Sequence, residues 1–189
     1  MRTLTLLICL LAPAAVALAQ AKPATAAPVQ ANPLSTWNKG AYGHVKSILL
    51  RSAEKMPEEN YNFKPVETVR SYGHIVGHLA DSQYYFCSVA LGEKNPAPKI
   101  EQTKTSKADL IAALQAAFAY CDKAYDGMTD ASGTQVVKLF GTEDTPKLSV
   151  LTVNLMHNME HYGNLVTYMR MKNIVPPTSE PKPQAQPKK

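Results

Sequence analysis

The sequence predicts an all-α fold, a four-helix bundle. Three observations carry this. Apolar residues recur at three- and four-residue spacing in four separate segments, no stretch shows sustained strand alternation, and each segment is bracketed by capping or breaking residues.

Taken in chain order, residues 1–19 read as a secretory signal. Arg2 supplies the positive start, a nearly continuous apolar run extends from Leu4 to Ala19, and Ala17-Leu18-Ala19 fits a cleavage site. The run contains Pro13 and is short for a spanning helix, which needs roughly twenty apolar residues. Residues 20–32, rich in Ala, Pro and Gln, lack the apolar side chains that offset ordering entropy and read as a disordered linker. The first helix is expected over residues 35–56, with Trp37, Ala41, Val45, Ile48 and Ser52 on one stripe and Pro57 as its stop. The second is expected over residues 71–91, with Ile75, Leu79, Ser82, Phe86 and Val89 in phase and Gly92 closing it. The third opens at Ser106, an N-cap with Asp109 three residues on, buries Leu110, Leu114, Phe118 and Tyr125, and ends near Gly127. The fourth is expected to start at Thr145-Pro146, a cap followed by proline at the first helical position, and to run to Lys172 with Asn173 as C-cap. The bundle is thus residues 33–173, and the proline-rich residues 174–189 read as a disordered tail. The second connection, residues 92–105, can reach ~46 Å, more than the ~32 Å of the second helix, so a crossover is affordable. The third connection, residues 128–144, is similarly long and has room for a short ordered piece around residues 136–140.

The net charge of +5 is misleading. Fifteen of the twenty Lys and Arg and fourteen of the fifteen Asp and Glu fall within residues 33–173, leaving a balance of +1 and no basic stripe. Displacing counterions from nucleic acid needs such a field, so nucleic-acid binding is excluded. Cys87 and Cys121 survive removal of the signal.

Four of the five histidines form two pairs four residues apart, His74 with His78 and His157 with His161. Residues at that spacing share a helix face, and two imidazoles so placed reach one ion. His157 and His161 align with Val150, Leu165 and Tyr168, an inward stripe, with Asn154 and Asn164 beside it as supporting groups. His78 follows Ile75 by three and precedes Ser82 by four, so it too points inward, whereas His74 lies nearer the edge. His44 is a reserve ligand. Histidines in a core are usually just hydrogen-bonded, but several unpartnered buried imidazoles are costly, which favours a shared ion. The expected metal ligands are therefore His78, His157 and His161. His157-Asn158-Met159-Glu160-His161 also matches an inverted zinc-protease motif, but that chemistry needs a further acidic ligand downstream, where only Glu180 stands. A haem bundle is disfavoured because no C-x-x-C-H occurs.

Phe63-Lys64-Pro65 leading into Ser71-Tyr72-Gly73-His74-Ile75-Val76-Gly77-His78-Leu79-Ala80, and the run from His157 to Arg170 continuing to Ile174-Val175-Pro176-Pro177, resemble the DinB-like family of four-helix metalloenzymes. The resemblance spans residues 34–177. It implies an up-down-down-up bundle and a divalent ion (Zn, Ni, Mn or Fe) held by His78, His157 and His161. It further implies small-thiol chemistry, as in bacillithiol transferases and mycothiol-dependent isomerases, although the export signal sets this chain apart from those cytoplasmic enzymes. If the second and third helices run parallel, Cys87 and Cys121 stand level and a disulfide is feasible; with antiparallel helices they stay apart as packed thiols.

The sequence thus points to a periplasmic or secreted metal-binding protein that acts on a small molecule as a transferase or hydrolase, its catalytic residues unassigned. Tyr84, Tyr85, Tyr162 and Tyr168 are available as hydrogen-bond donors. The alternative is a non-catalytic metal-binding or stress-related periplasmic protein. Neither reading involves stable membrane insertion after signal cleavage, and a homodimer is compatible with both.

Overall fold

The computed structural model describes residues 31–181. The expected signal sequence and nearly all of the linker fall outside the described residues, as do the last eight residues of the tail. Four long helices, α1 (Pro33–Lys55), α2 (Tyr72–Leu91), α4 (Lys107–Gly127) and α6 (Lys147–Met171), enclose the core. Two helical turns, α3 (Ile100–Thr103) and α5 (Asp130–Gly133), lie in the connections. So does an antiparallel hairpin, β1 (Val136–Leu139) with β2 (Glu143–Pro146). Among the described residues no helix is long and apolar enough to cross a membrane.

Local chemistry explains the helix ends. Ser71 and Ser106 accept the backbone N–H groups of His74 and Asp109 through their hydroxyl oxygens. Gly92 closes α2 with a φ of 75°, and the N–H of Glu93 then reaches back to the Ser88 carbonyl. Asn173 does the same for α6 at a φ of 58°, with Ile174 N–H on the Met169 carbonyl.

Polar contacts between helices set their directions. The Tyr42 hydroxyl donates to the Phe118 carbonyl at 2.8 Å while Lys107 reaches the Met56 carbonyl at 2.8 Å, so α1 and α4 run oppositely. Gln83 meets Asn158, and the Tyr168 hydroxyl meets the Arg70 carbonyl just ahead of α2, so α2 and α6 are also opposed. Leu110 lies against Gly73 and Gly77, and Cys121 is joined to Cys87, so α2 and α4 share a direction. The Cys87–Cys121 disulfide has its Cα atoms 5.3 Å apart, and both cysteines are fully buried.

Three details depart from the sequence reading. Trp37, expected on the inward stripe of α1, is 70% exposed. Val45, Ile48 and Ser52 are buried as expected, but the first half of the helix turns Ser35, Asn38 and Tyr42 inward, fixed by the Asp130 carboxylate on the Ser35 N–H and by Asn38 on Thr152. The expected cap Thr145 pairs with Val137 in the hairpin, so α6 starts after Pro146 rather than at it. The chain also stays packed beyond Asn173, the expected end of the fold. Pro176 and Pro177 are buried, the Tyr162 hydroxyl meets Thr178 at 2.9 Å, and Glu180 pairs with Arg51 and Lys55. Proline forbids further helix there but packs well as an apolar ring. The short ordered piece expected around residues 136–140 is present, as strand β1.

Candidate metal centre

One helical turn separates His157 from His161 on α6, and α2 presents His78 to both from the opposite side. The Nε2 atom of His157 lies 3.1 Å from that of His78 and 3.1 Å from that of His161. The three candidate donor atoms fall within 4.8 Å of one another. Nitrogens at ~2.1 Å from one tetrahedral ion stand ~3.4 Å apart, so the two 3.1 Å separations are close to those of ligands sharing an ion, and the outer span of up to 4.8 Å closes on one with a small ring movement.

Charge points the same way. Burial lowers the pKa of all three rings. For His157 burial and the two neighbouring histidines bring it down to about 4. The rings are thus neutral near pH 7 and turn nitrogen edges toward one point, the donor set of borderline divalent metals rather than of oxygen-seeking calcium or magnesium. The His78 Nδ1 sits 3.2 Å from a Glu101 carboxylate oxygen, whose other oxygen accepts from Arg70 at 2.8 Å. That contact keeps the ring proton on Nδ1 and leaves the Nε2 lone pair facing the cluster. Asn164 approaches the His161 Nδ1 at 3.5 Å. The buried Nδ1 of His157 has no partner among the described residues.

The sequence-predicted trio therefore comes together. His44, the reserve ligand, is exposed on α1 and outside the cluster, and His74 is exposed at a cavity edge. Asn154 does not support the histidines as expected. It bonds Gln83 at 3.0 Å and accepts from Asn158, which takes a 2.6 Å bond from Gln83, in a closed polar knot one turn away. Of the four tyrosines, Tyr85 and Tyr168 line cavities at the site, whereas Tyr162 is turned to Thr178 and Tyr84 packs on Tyr120.

Sequence reasoning missed Glu101. It comes from α3, in the long crossover, where no periodicity marks a facing. The Asp81 carboxylate holds α3 by accepting the Ile100 and Glu101 N–H groups at 2.7 and 2.9 Å.

Two cavities flank the histidines. A polar one of about 650 Å³ is lined by Arg70, Glu101, Glu160, His161, Asn164 and Tyr168 among others. A more apolar one of about 360 Å³ is walled by Tyr85, Phe86, Pro98 and Phe140, with His78 and His157 also on its surface. The arrangement can hold an ion and admit a small molecule from either side.

Comparison with known proteins agrees with this architecture. The DinB superfamily profile matches residues 42–165, a span containing all three histidines. The uncharacterized protein YjoA of Bacillus subtilis is 26% identical over 131 residues, covering 66% of this chain and 82% of YjoA. A DinB-like protein from Bacillus cereus superposes with a TM-score of 0.66 at 14% identity, over 74% of this chain and 93% of that one. The mycothiol-dependent maleylpyruvate isomerase superposes at 0.56 with 16% identity, over 71% of this chain and 60% of the isomerase. With two thirds of its length matched by the family profile, the chain belongs to the DinB superfamily.

Proposed function

We propose that this chain is an exported divalent-metal protein that works as a transferase or hydrolase on a small molecule, with a thiol as the first substrate to try. The carrying observation is the convergence of three neutral imidazole edges between two open cavities. A protein that only stored the ion would need no such access, which favours chemistry over storage.

His78, His157 and His161 would hold the ion. Kept at full charge by neutral ligands, a divalent metal acidifies a bound thiol or water and polarises a carbonyl. The remaining roles belong to the chain itself. Glu101, steadied by Arg70, holds the His78 proton at Nδ1 and fixes that ring. Tyr168 and Asn164 supply polar groups along the larger cavity, and Glu160 adds a carboxylate at its wall. The thiol reading draws on the fold shared with the mycothiol-dependent isomerase. Export draws on the sequence of residues 1–19, and the Cys87–Cys121 disulfide supports an oxidising destination.

The test is elemental analysis of protein purified without a histidine tag, beside His161→Ala, followed by thiol-transfer assays before and after chelation. One equivalent of metal in the parent and a marked loss in the variant are expected. A full equivalent in His161→Ala overturns the ligand assignment, and chelation-independent rates overturn the metal-dependent activity.

A further inference from the structure

Among the described residues four that are not glycine have a positive φ: Asn32, Lys99, Phe140 and Asn173. Asparagine enters that region readily, whereas lysine and phenylalanine do so rarely. The two disfavoured residues, at φ 72° and 51°, both line the smaller cavity beside His78 and His157. Backbone strain gathers where the surroundings hold it for function, so its coincidence at one cavity rim is informative.

Phe140 is the more telling case. In the three-residue connection between Leu139 and Glu143 it occupies the first central position of a β-turn, in which Thr142 N–H donates to the Leu139 carbonyl and Gly141 also has a positive φ, 77°. Such a turn favours Asn, Asp or Gly at that position. The turn therefore does not account for phenylalanine, and neither does burial, since the residue is 57% exposed. Its ring instead stacks over Tyr85 at 5.8 Å and 13°, and its N–H donates to the Tyr85 hydroxyl at 2.9 Å. That bond leaves the Tyr85 hydroxyl hydrogen free to donate elsewhere. The result is a flat aromatic wall leading toward the histidines.

Lys99 supplies charge at the same rim. Its ammonium forms no ion pair among the described residues. Asp81, the carboxylate in the same wall, has both oxygens engaged by the backbone N–H groups of α3. Asp81 is thus committed to the backbone of α3, and the Lys99 ammonium is the charge at this rim left without an ion-pair partner among the described residues. A volume of about 360 Å³ lies within the range of small-ligand pockets, and such pockets combine apolar walls with a few polar groups.

We infer that this cavity is a subsite for a small organic anion with a flat, apolar body, selected by Phe140 through stacking and by Lys99 through charge. This deepens the proposed function by naming a substrate class, but binding in the cavity does not depend on an ion being present.

The test uses the mature full chain, metal-free and zinc-loaded, titrated with benzoate and followed by protein NMR. Benzylammonium and acetate serve as the wrong-charge and no-ring controls. Benzoate is expected to bind at least tenfold more tightly than either. Phe140→Gly removes the ring and relieves the strained φ, so it should weaken benzoate tenfold or more while leaving Tm unchanged or higher. Lys99→Asn should equally spare Tm yet abolish the preference for benzoate over benzyl alcohol. No benzoate binding, equal binding of benzylammonium, or undiminished binding in Phe140→Gly each overturns the inference. Metal content is measured separately on the same samples. Zinc uptake without benzoate binding in either sample defeats only the subsite, and benzoate binding by a chain that takes up no zinc defeats only the metal reading.

Discussion

Substituting Gly77 by alanine should expose how the crossover supports the candidate metal centre. A Cβ built there lies 2.8 Å from the Glu101 Cα and 3.2 Å from its N atom. Both are backbone atoms, so no side chain can rotate aside, and α3 must retreat by about 0.6 Å to reach the 3.4 Å of ordinary contact. Alanine gains ~1 kcal/mol over glycine inside a helix. Overpacking of this kind costs about 1–3 kcal/mol. The net change should lie between neutral and a loss of about 2 kcal/mol, well short of the gain an unobstructed helix would show. The retreat also draws the Glu101 carboxylate from its 3.2 Å contact with His78, and losing such a partner typically weakens metal binding about 10–100-fold. Urea unfolding at pH 7 and zinc competition against a chelator measure the two effects. Glu101→Ala should reproduce the affinity loss with a stability change within about 1 kcal/mol, because its ion pair with Arg70 is partly exposed. A Gly77→Ala protein that gains the full ~1 kcal/mol and binds zinc like its parent would refute this packing of α3.

Three further outcomes follow from the core and the site. The metal-free protein should lose stability as pH falls from about 6.5 toward about 4. Over that window unfolded chains take up protons that the buried, pKa-depressed His157 refuses, with His78 and His161 adding in the same direction. His157→Gln should flatten that part of the pH–stability curve; an unchanged slope contradicts the assignment. Reducing the Cys87–Cys121 bond, which closes a loop of sequence separation 34, should cost about 4 kcal/mol in chain-entropy terms, read from the shift in urea midpoint. Asn154→Ala should cost about 1–3 kcal/mol for each group of Gln83 and Asn158 left without a partner, while zinc affinity stays at the parental value.

Much of the bundle is legible in the chain because helical period, caps and core face coincide. Leu110, Leu114 and Phe118, or Val150, His161 and Leu165, announce their facing by spacing alone. The two histidine pairs are readable on the same grounds, and the inward member of the first pair follows from phase. Gln83 was readable too, since it stands four residues after Leu79 on the buried stripe, and Asn158 stands four after Asn154. Polar side chains on apolar stripes signal a knot that must satisfy itself internally. Other features had no such signal. Val136-Val137-Lys138-Leu139 has no clean alternation, and its hairpin is positioned by contacts with Tyr85 and Phe86 from a distant helix. Glu101 reaches His78 only because Asp81 anchors a four-residue turn, a tertiary event with no local pattern. The closing prolines were misread because composition reports what a segment cannot do, which is extend a helix, and not what it packs against.

Two donors of the candidate centre share one helix, while the third arrives from 79 residues earlier in the chain. An unfolded chain would thus offer a passing ion two nearby imidazoles at best. The third closes on it only once α2 has docked against α6. If this cluster takes an ion, loading would be deferred until α2 has docked, and a metal-bearing molecule would certify its own correct assembly.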